Sequence, residues 1–514
     1  MARLVRALGG AGVVTVLLLS ACAHLPAPAP SAMPVALESP TTSMALALAP
    51  VAAAHPGLSG IYSLREGREA FAARAVLANA AQRSLDVQYY IWDKDITGTL
   101  LFNALEAAAN RGVRVRLLLD DNNTKGLDAA LALLDAHPGI EVRLFNPFMQ
   151  RRFRLLGYAT DFSRLNRRMH NKSFTVDGRA TIVGGRNVGD EYFGAAGDML
   201  FSDLDVLAVG PVVKDVEQDF DQYWNSASSY ALAQVVPAST ADSAAQVRRE
   251  AAAILASPQA RAYIAAIKAS PFVADLHARR LALEWAKTRL VSDNPAKGLG
   301  AAPPNTRIMP QIQELIGAPT RQVDLVSAYF VPGENGTQAF ATMARSGVDV
   351  RILTNSLGAT DVAAVHAGYA KRRHALLEAG VHLYELRRNW SSDAEGRRSG
   401  PFGSSASSLH AKTFAIDGDQ LFVGSFNFDP RSTRLNTEMG LIIDSVPLAR
   451  QLAERMATLP ADRAYEVRLG EDGKLIWLEH KGGAVLRHTE EPDVGFWRKL
   501  EVTVLSWLPI EWLL

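Results

Sequence analysis

The chain has 514 residues, 48% of them hydrophobic and 21% charged, which is ordinary for a globular protein with room for two or more cored domains. Lys and Arg number 54 against 53 Asp and Glu, for a net charge of +1, so composition does not announce a nucleic-acid binder. The single cysteine excludes an internal disulfide and a cysteine-based zinc site.

The N-terminus reads as an address. Arg3 and Arg6 precede an apolar run from Ala11 to Leu19, which ends in Leu19-Ser20-Ala21-Cys22. A basic start, a short apolar core and small residues at the exit describe an export signal. The run falls short of the ~20 residues a membrane span requires. Leu-Ser-Ala-Cys resembles the bacterial lipobox, which implies that residues 1–22 are a lipoprotein signal and that Cys22 is the lipidation site. Such a protein is exported and lipid-anchored on the periplasmic side. Ala23, where an aspartate would signal retention, favours the outer membrane by resemblance to enteric sorting. Residues 23–56 are rich in Ala and Pro. Proline fixes φ and donates no hydrogen bond, so an extended tether is expected there.

Beyond the tether, one module is written twice. Leu85–Ile91 reads as a buried strand, Thr97–Arg111 as a helix, Val113–Leu119 as a second strand, Gly126–Ala136 as a helix and Ile140–Phe145 as a third strand. Val323–Tyr329, Gly347–Leu353 and Val381–Glu385 repeat the three strands at nearly constant offsets (324 − 86 = 238; 347 − 112 = 235). Alternating strands and helices argue for an α/β fold of two pseudo-symmetric lobes, each a mixed, mostly parallel sheet flanked by helices. The lobes are expected over 57–240 and 306–460. Residues 241–305 read as a helical connector, because Ala244–Leu290 is alanine-rich and helical in pattern. Residues 461–514 read as a hairpin (Tyr465–Leu469 with Lys474–Leu478) and an apolar Trp/Leu tail.

The chemistry lies in a repeated phrase. His170-Asn-Lys172 with Asp177 recurs as His410-Ala-Lys412 with Asp417, at an offset of 240 (410 − 170). Each copy runs on to a glycine turn and an asparagine, Gly184-Gly185-Arg186-Asn187 and Gly424-Ser425-Phe426-Asn427, 17 residues past its histidine (187 − 170; 427 − 410). Strand alternation puts histidine and lysine of each copy on one face, toward one cleft. Cleaving a phosphodiester requires a nucleophile for phosphorus, an acid for the leaving alcohol, and donors around the remaining oxygens. Two histidines supply the first two roles. Lys172 and Lys412, with the substrate phosphate-binding candidates Asn187, Asn427 and Ser425, supply the third. No metal or other cofactor is required, and the spacing is not that of a zinc site.

This duplicated His-x-Lys-x4-Asp element resembles the signature of the phospholipase D superfamily, over essentially the whole body from about residue 57. The resemblance implies a covalent phosphohistidine intermediate, with His170 attacking and His410 acting as acid and then base. It implies structural roles for Asp177 and Asp417, and histidine-orienting roles for Glu438 and Asp205. One departure stands out: the usual Gly-Ser pair is Gly184-Gly185 in the first half.

The longer phrase from Asn166 to Phe193, and the ending Leu505–Leu514, resemble bacterial cardiolipin synthases of the C type. That implies transfer of a phosphatidyl group to phosphatidylglycerol, with phosphatidylethanolamine as a donor. Two other outcomes stay open: hydrolysis to phosphatidic acid, and phosphodiester cleavage of nucleic acid. Balanced charge and the lipid anchor argue against nucleic acid as a partner. The expected partners are phospholipids and a membrane surface. For the latter the tryptophans and leucines of residues 503–514 and the basic residues Lys371–Arg373, Arg387, Arg388, Arg397 and Arg398 are candidates.

Overall fold

The computed structural model describes residues 25–31, 41–195, 201–278, 280–388, 408–508, 511 and 514. Cys22, Arg397, Arg398 and Trp512 lie outside the described residues.

The segment expected to be an extended tether is in part ordered. Ser43–Ala53 forms helix α1, capped by the Thr42 side chain. Residues 25–31 lie on the first lobe, where the Ala29 amide donates to Gln234 at 3.1 Å and Arg143 donates to the Ala29 carbonyl at 2.9 Å. The alanines of 43–53 are good helix formers, and Pro50 does not prevent the helix.

The first lobe runs β1 (Ser59–Leu64), α2 (Gly67–Ala80), β2 (Ser84–Ile91), α3 (Ile96–Asn110), β3 (Arg114–Asn123), α4 (Asp128–Asp135) and β4 (Ile140–Phe145). Two short helices, Arg154–Thr160 and Phe162–Leu165, precede β5 (Ser173–Val176), β6 (Ala180–Gly184), β7 (Phe201–Ser202), β8 (Asp205–Val209), α5 (Val212–Trp224) and β9 (Ser229–Ala231). Strands β2, β3 and β4 are parallel, as right-handed crossovers through helices require. β5 closes on β2 antiparallel, followed by β6, β8 and β1.

Helices Ala241–Leu255, Pro258–Lys268 and Pro271–His277 form the connector. The helical reading of Ala244–Leu290 fails at its end, because Glu284–Ser292 is strand β10. Its residues 284–286 pair with β1, and 287–292 pair with a strand of the second lobe, so β10 runs the two sheets into one.

The second lobe repeats the plan: α6 (Ile308–Ile316), β11 (Gln322–Ser327), α7 (Gly333–Arg345), β12 (Asp349–Asn355), α8 (Ala363–Ala370), β13 (His382–Leu386), β14 (Ser408–Leu409), β15 (Lys412–Ile416), β16 (Gln420–Gly424), β17 (Met439–Asp444) and α9 (Val446–Asp462). β11, β12 and β13 are parallel, and β15 closes on β11 antiparallel. A three-strand meander extends the sheet: β18 (Ala464–Leu469), β19 (Leu475–Lys481) and β20 (Ala484–His488). The last described helix is α10 (Phe496–Trp507), so the C-terminal apolar segment begins as a helix lying on α8.

Each lobe has its own core. A third apolar cluster joins them, with Val183, Val206 and Val216 of the first lobe against Leu421, Leu441 and Ile443 of the second. Burying such side chains gives roughly 1.5–3 kcal/mol each, enough to hold the lobes in fixed register. No helix among the described residues is long and apolar enough to cross a membrane.

Candidate active site

Each motif enters its strand from a segment zipped onto the opposite lobe. Met169 bridges to Thr437, and the His170 amide donates to the Thr437 carbonyl at 2.9 Å. On the other side β14 pairs in parallel with β7, setting Leu409 beside Ser202. The residue after Thr437 is Glu438, and the residue after Ser202 is Asp203. Each lobe therefore delivers a carboxylate to the other lobe's histidine.

His170 Nδ1 donates to Glu438 Oε2 at 2.8 Å, and His410 Nδ1 donates to Asp203 Oδ2 at 2.6 Å. A proton fixed on Nδ1 leaves the lone pair of each ring on Nε2. Both rings are almost buried, at 7% and 8% exposure. Tyr90 packs edge-on to His170 and Tyr192 edge-on to His410, with centroids 4.9 and 5.1 Å apart. Lys172 Nζ donates to the His170 carbonyl at 2.6 Å, and Lys412 Nζ lies 3.3 Å from His410 Nε2. The segment ahead of His170 is anchored by Arg168, whose guanidinium meets the buried Asp120 carboxylate. That anchor carries no sequence signal beyond its charge.

The orienting acid of the first half is Asp203, which corrects the expectation of Asp205. Asp205 instead pairs with the buried Arg74 at 2.8 Å and accepts from the Arg186 amide at 3.1 Å. Glu438 does meet a histidine, but it is His170, across the seam. The Gly184-Gly185 departure has a steric cause: a Cβ on Gly185 would stand 2.3 Å from Asp203 Oδ1. In the second half Ser425 occupies that place, and its hydroxyl donates to Glu438 at 2.5 Å.

The phosphate-binding expectation for Ser425 therefore gives way to a role in holding Glu438. Asn187 is also committed, accepting from the Ile91 amide at 3.2 Å and donating to the Tyr192 hydroxyl at 3.1 Å. Asn427 Oδ1 is buried with no hydrogen-bond partner among the described residues; an acceptor oxygen cannot hold a phosphate oxygen, so any phosphate contact from Asn427 falls to its Nδ2. Asp177 and Asp417 stand away from the rings. Both adopt left-handed backbone at φ 52° and accept amides at the start of the neighbouring strand: Arg83 and Ser84 for Asp177, Arg321 and Gln322 for Asp417. Asp tolerates this region better than most residues, and its carboxylate ties each motif strand to its neighbour. The basic residues offered for headgroups are partly spent: Arg373 is buried with Glu385 and Glu491, and Arg387 pairs with Glu479.

Burial, then the ammonium groups of Lys172 and Lys412, hold the His170 imidazole well below its usual pKa; a proton on His410 adds to the effect. Burial and Lys412 lower His410 in the same way, and the hydrogen bond to Asp203 opposes this. Both shifts favour the neutral imidazole, and the neighbouring ammonium groups oppose one another. An arriving phosphodiester anion relieves that repulsion and favours protonation of one ring.

Burial also lowers Lys172 to about 7, with Lys412 adding to the shift. A lysine is charged below its pKa, so kcat/KM for a phosphodiester is expected to fall as pH rises through about 7. The matching limb in kcat should lie at higher pH, because bound phosphate stabilises the ammonium. Profiles of both constants flat through that range would contradict a charged Lys172 in the site.

Residues 75–224 and 312–459 match the family described as "Cardiolipin synthase, PLD-like domain". The chain is 51% identical over 473 residues to cardiolipin synthase C of Escherichia coli (strain K12), covering 92% of this chain and 99% of that protein. It is 26% identical over 383 residues to cardiolipin synthase B of the same organism, covering 74% and 76%. The fold is shared with a solved structure of phosphatidylserine synthase from Haemophilus influenzae Rd KW20, at TM-score 0.57 and 13% identity, covering 89% and 97%. With two matched repeats and a relative aligned along nearly its full length, the chain belongs to the phospholipase D-like family, as a phosphatidyltransferase of the cardiolipin synthase kind.

Proposed function

We propose that the protein makes cardiolipin, moving a phosphatidyl group onto the terminal glycerol hydroxyl of phosphatidylglycerol through a phosphohistidine on His170. The observation that carries this is the crosswise pair His170–Glu438 and His410–Asp203, in which each lobe holds the other lobe's histidine by Nδ1 and so keeps the lone pair of each ring on Nε2.

In the first step His170 Nε2 attacks phosphorus. The P–N bond forms, the P–O bond to the donor's headgroup breaks, and protonated His410 gives its proton to the leaving alkoxide. Glu438 balances the positive charge that develops on the His170 ring. In the second step neutral His410 takes the proton of the acceptor hydroxyl, whose oxygen attacks phosphorus as the P–N bond breaks. Lys172, Lys412 and the Asn427 amide hold the non-bridging oxygens through both steps. Phosphatidylethanolamine or a second phosphatidylglycerol serves as donor. In a competing reading water replaces the acceptor and phosphatidic acid is released. Labelled phosphatidylglycerol supplied with phosphatidylethanolamine should yield labelled cardiolipin; phosphatidic acid as the sole product would select the hydrolase.

The reaction is set at a membrane. Helix α10 exposes Phe496, Trp497 and Trp507 at 70%, 78% and 78%, a density of aromatic surface suited to the lipid–water interface. The Leu19–Cys22 lipobox would anchor the mature chain by Cys22 on the periplasmic side, at the outer membrane. Cys22→Ser is expected to lose labelling by radioactive palmitate and to release the protein from membranes; labelling that persists would remove the anchor from this reading.

A further inference from the structure

The two lobes differ in one respect that their repeated sequence does not require. In the first lobe α2 packs directly on α3, and Tyr263, Ile267 and Phe272 of the connector helices help close that core. The counterparts in the second lobe are α6 and α7. Helix α6 has nine residues where α2 has fourteen, and it packs on β10 rather than closing on α7. The gap leaves a half-open cavity of about 1120 Å³, slightly above the roughly 300–1,000 Å³ typical of small-molecule sites. Ile312 and Ile316 of α6 form one wall, Phe340 and Met343 of α7 the other, and Leu325 and Phe414 the floor.

The inner end of this cavity is the back of the active site. Along residues 425–428 the side chains alternate. Ser425 bonds Glu438, which orients His170, and Asn427 carries the unpartnered buried oxygen, while Phe426 and Phe428 face the cavity. Phe428 gathers the rings of Phe340, Phe414 and Phe426 within 6 Å, centroid to centroid. The outer end is charged: Arg434 stands there with the Arg372–Glu511 ion pair at 3.1 Å. Glu511 follows α10, the helix with the exposed tryptophans, by four residues (511 − 507). The cavity thus has an apolar interior, a charged rim that includes Glu511, and an inner wall, Phe426–Phe428, whose other side carries Ser425 and Asn427 of the active site.

We propose that the groove between α6 and α7 binds one acyl chain of the phospholipid substrate and so positions its phosphate between the two histidines. This rests on the phosphatidyl-transfer reading and goes further by naming where the lipid's tail lies. A rigidly held chain limits the motion of the phosphodiester it is attached to, which raises the fraction of encounters with correct geometry.

Two experiments with the full-length protein test it. In the first, the His170→Ala variant is irradiated with phosphatidylglycerol carrying a photoreactive diazirine in one acyl chain. Label is expected on α6, α7 or the Phe426–Phe428 segment, displaced by unlabelled phosphatidylglycerol but not by an equal amount of oleate. Label elsewhere overturns the proposal, and so does displacement by oleate alone, which would make the groove a fatty-acid site. In the second, Ala339→Trp fills the groove from the exposed side of α7, outside the catalytic machinery. It is expected to lower kcat/KM for dioleoyl phosphatidylglycerol about tenfold or more, while dihexanoyl phosphatidylglycerol keeps its turnover within about twofold. Equal effects on both lipids would overturn the assignment. The outcomes separate the two readings: label in the groove without cardiolipin formation ends the transferase and keeps the acyl site, whereas cardiolipin formation without label in the groove ends the acyl site alone.

Discussion

His170→Ala and His410→Ala are each expected to lower cardiolipin formation by about 10⁴-fold or more, and the double variant is expected to be little worse than either. The reason is the division of labour across the seam. Without His170 no nitrogen is placed to form the P–N bond, and without His410 no group protonates the leaving alkoxide. Each ring is buried and held by a carboxylate from the other lobe, so a neighbouring side chain cannot move in to replace it. Thermal unfolding and circular dichroism separate this loss from a loss of folding, since each substitution leaves a buried carboxylate without its imidazole. Either single variant with near-normal turnover would contradict a two-histidine mechanism.

The second large effect separates two aspartates only two residues apart. Asp203→Asn keeps the size of the side chain but removes the charge that fixes the His410 proton on Nδ1. Turnover is expected to fall by about 10³–10⁴-fold at nearly unchanged Tm, by the same tautomer argument that applies to hydrolase triads. Gly185→Ala should produce a loss of the same kind, because its Cβ would press on the Asp203 carboxylate from 2.3 Å. Asp205→Asn should do the reverse. It leaves the His410 bond in place but strips a partner from the buried Arg74, a change that costs about 3–5 kcal/mol of stability. Its folded fraction should turn over at close to the normal rate. If Asp205→Asn lost activity at a native Tm while Asp203→Asn retained it, the crosswise arrangement would be wrong.

The duplicated βα module was legible because its strands are short, apolar and bounded by glycine turns, and because both copies keep the same offsets. The orienting acid was within reach of the same reasoning: an offset of 235 from Glu438 leads to Asp203 (438 − 235 = 203), and the strand pair at Gly112 and Gly347 has that very offset. Strand parity could not decide, since residues 203 and 205 lie on the same face of an extended chain. What sequence does not carry is which partner wins a polar group. Ser425 and Asn187 have the right chemistry for phosphate, but Glu438 and Tyr192 stand closer and take their hydrogen bonds. The strand at Glu284–Ser292 was hidden by the alanine-rich run before it, whose helical composition extends past the point where pairing with β1 and β17 takes over. The α6–α7 groove was likewise invisible, because it comes from a helix five residues shorter than its counterpart (14 − 9) rather than from any motif.

The most direct test uses a phosphatidyl ester of p-nitrophenol, whose leaving group departs without a proton. With His410→Ala, about one equivalent of nitrophenolate should appear rapidly and then stop. The phosphatidyl group should be retained as an acid-labile adduct that peptide mapping places on His170. With His170→Ala no burst should occur. A burst from the His170→Ala variant, or an adduct mapped to any residue other than His170, would contradict the assignment of nucleophile and acid to the two sides of the seam.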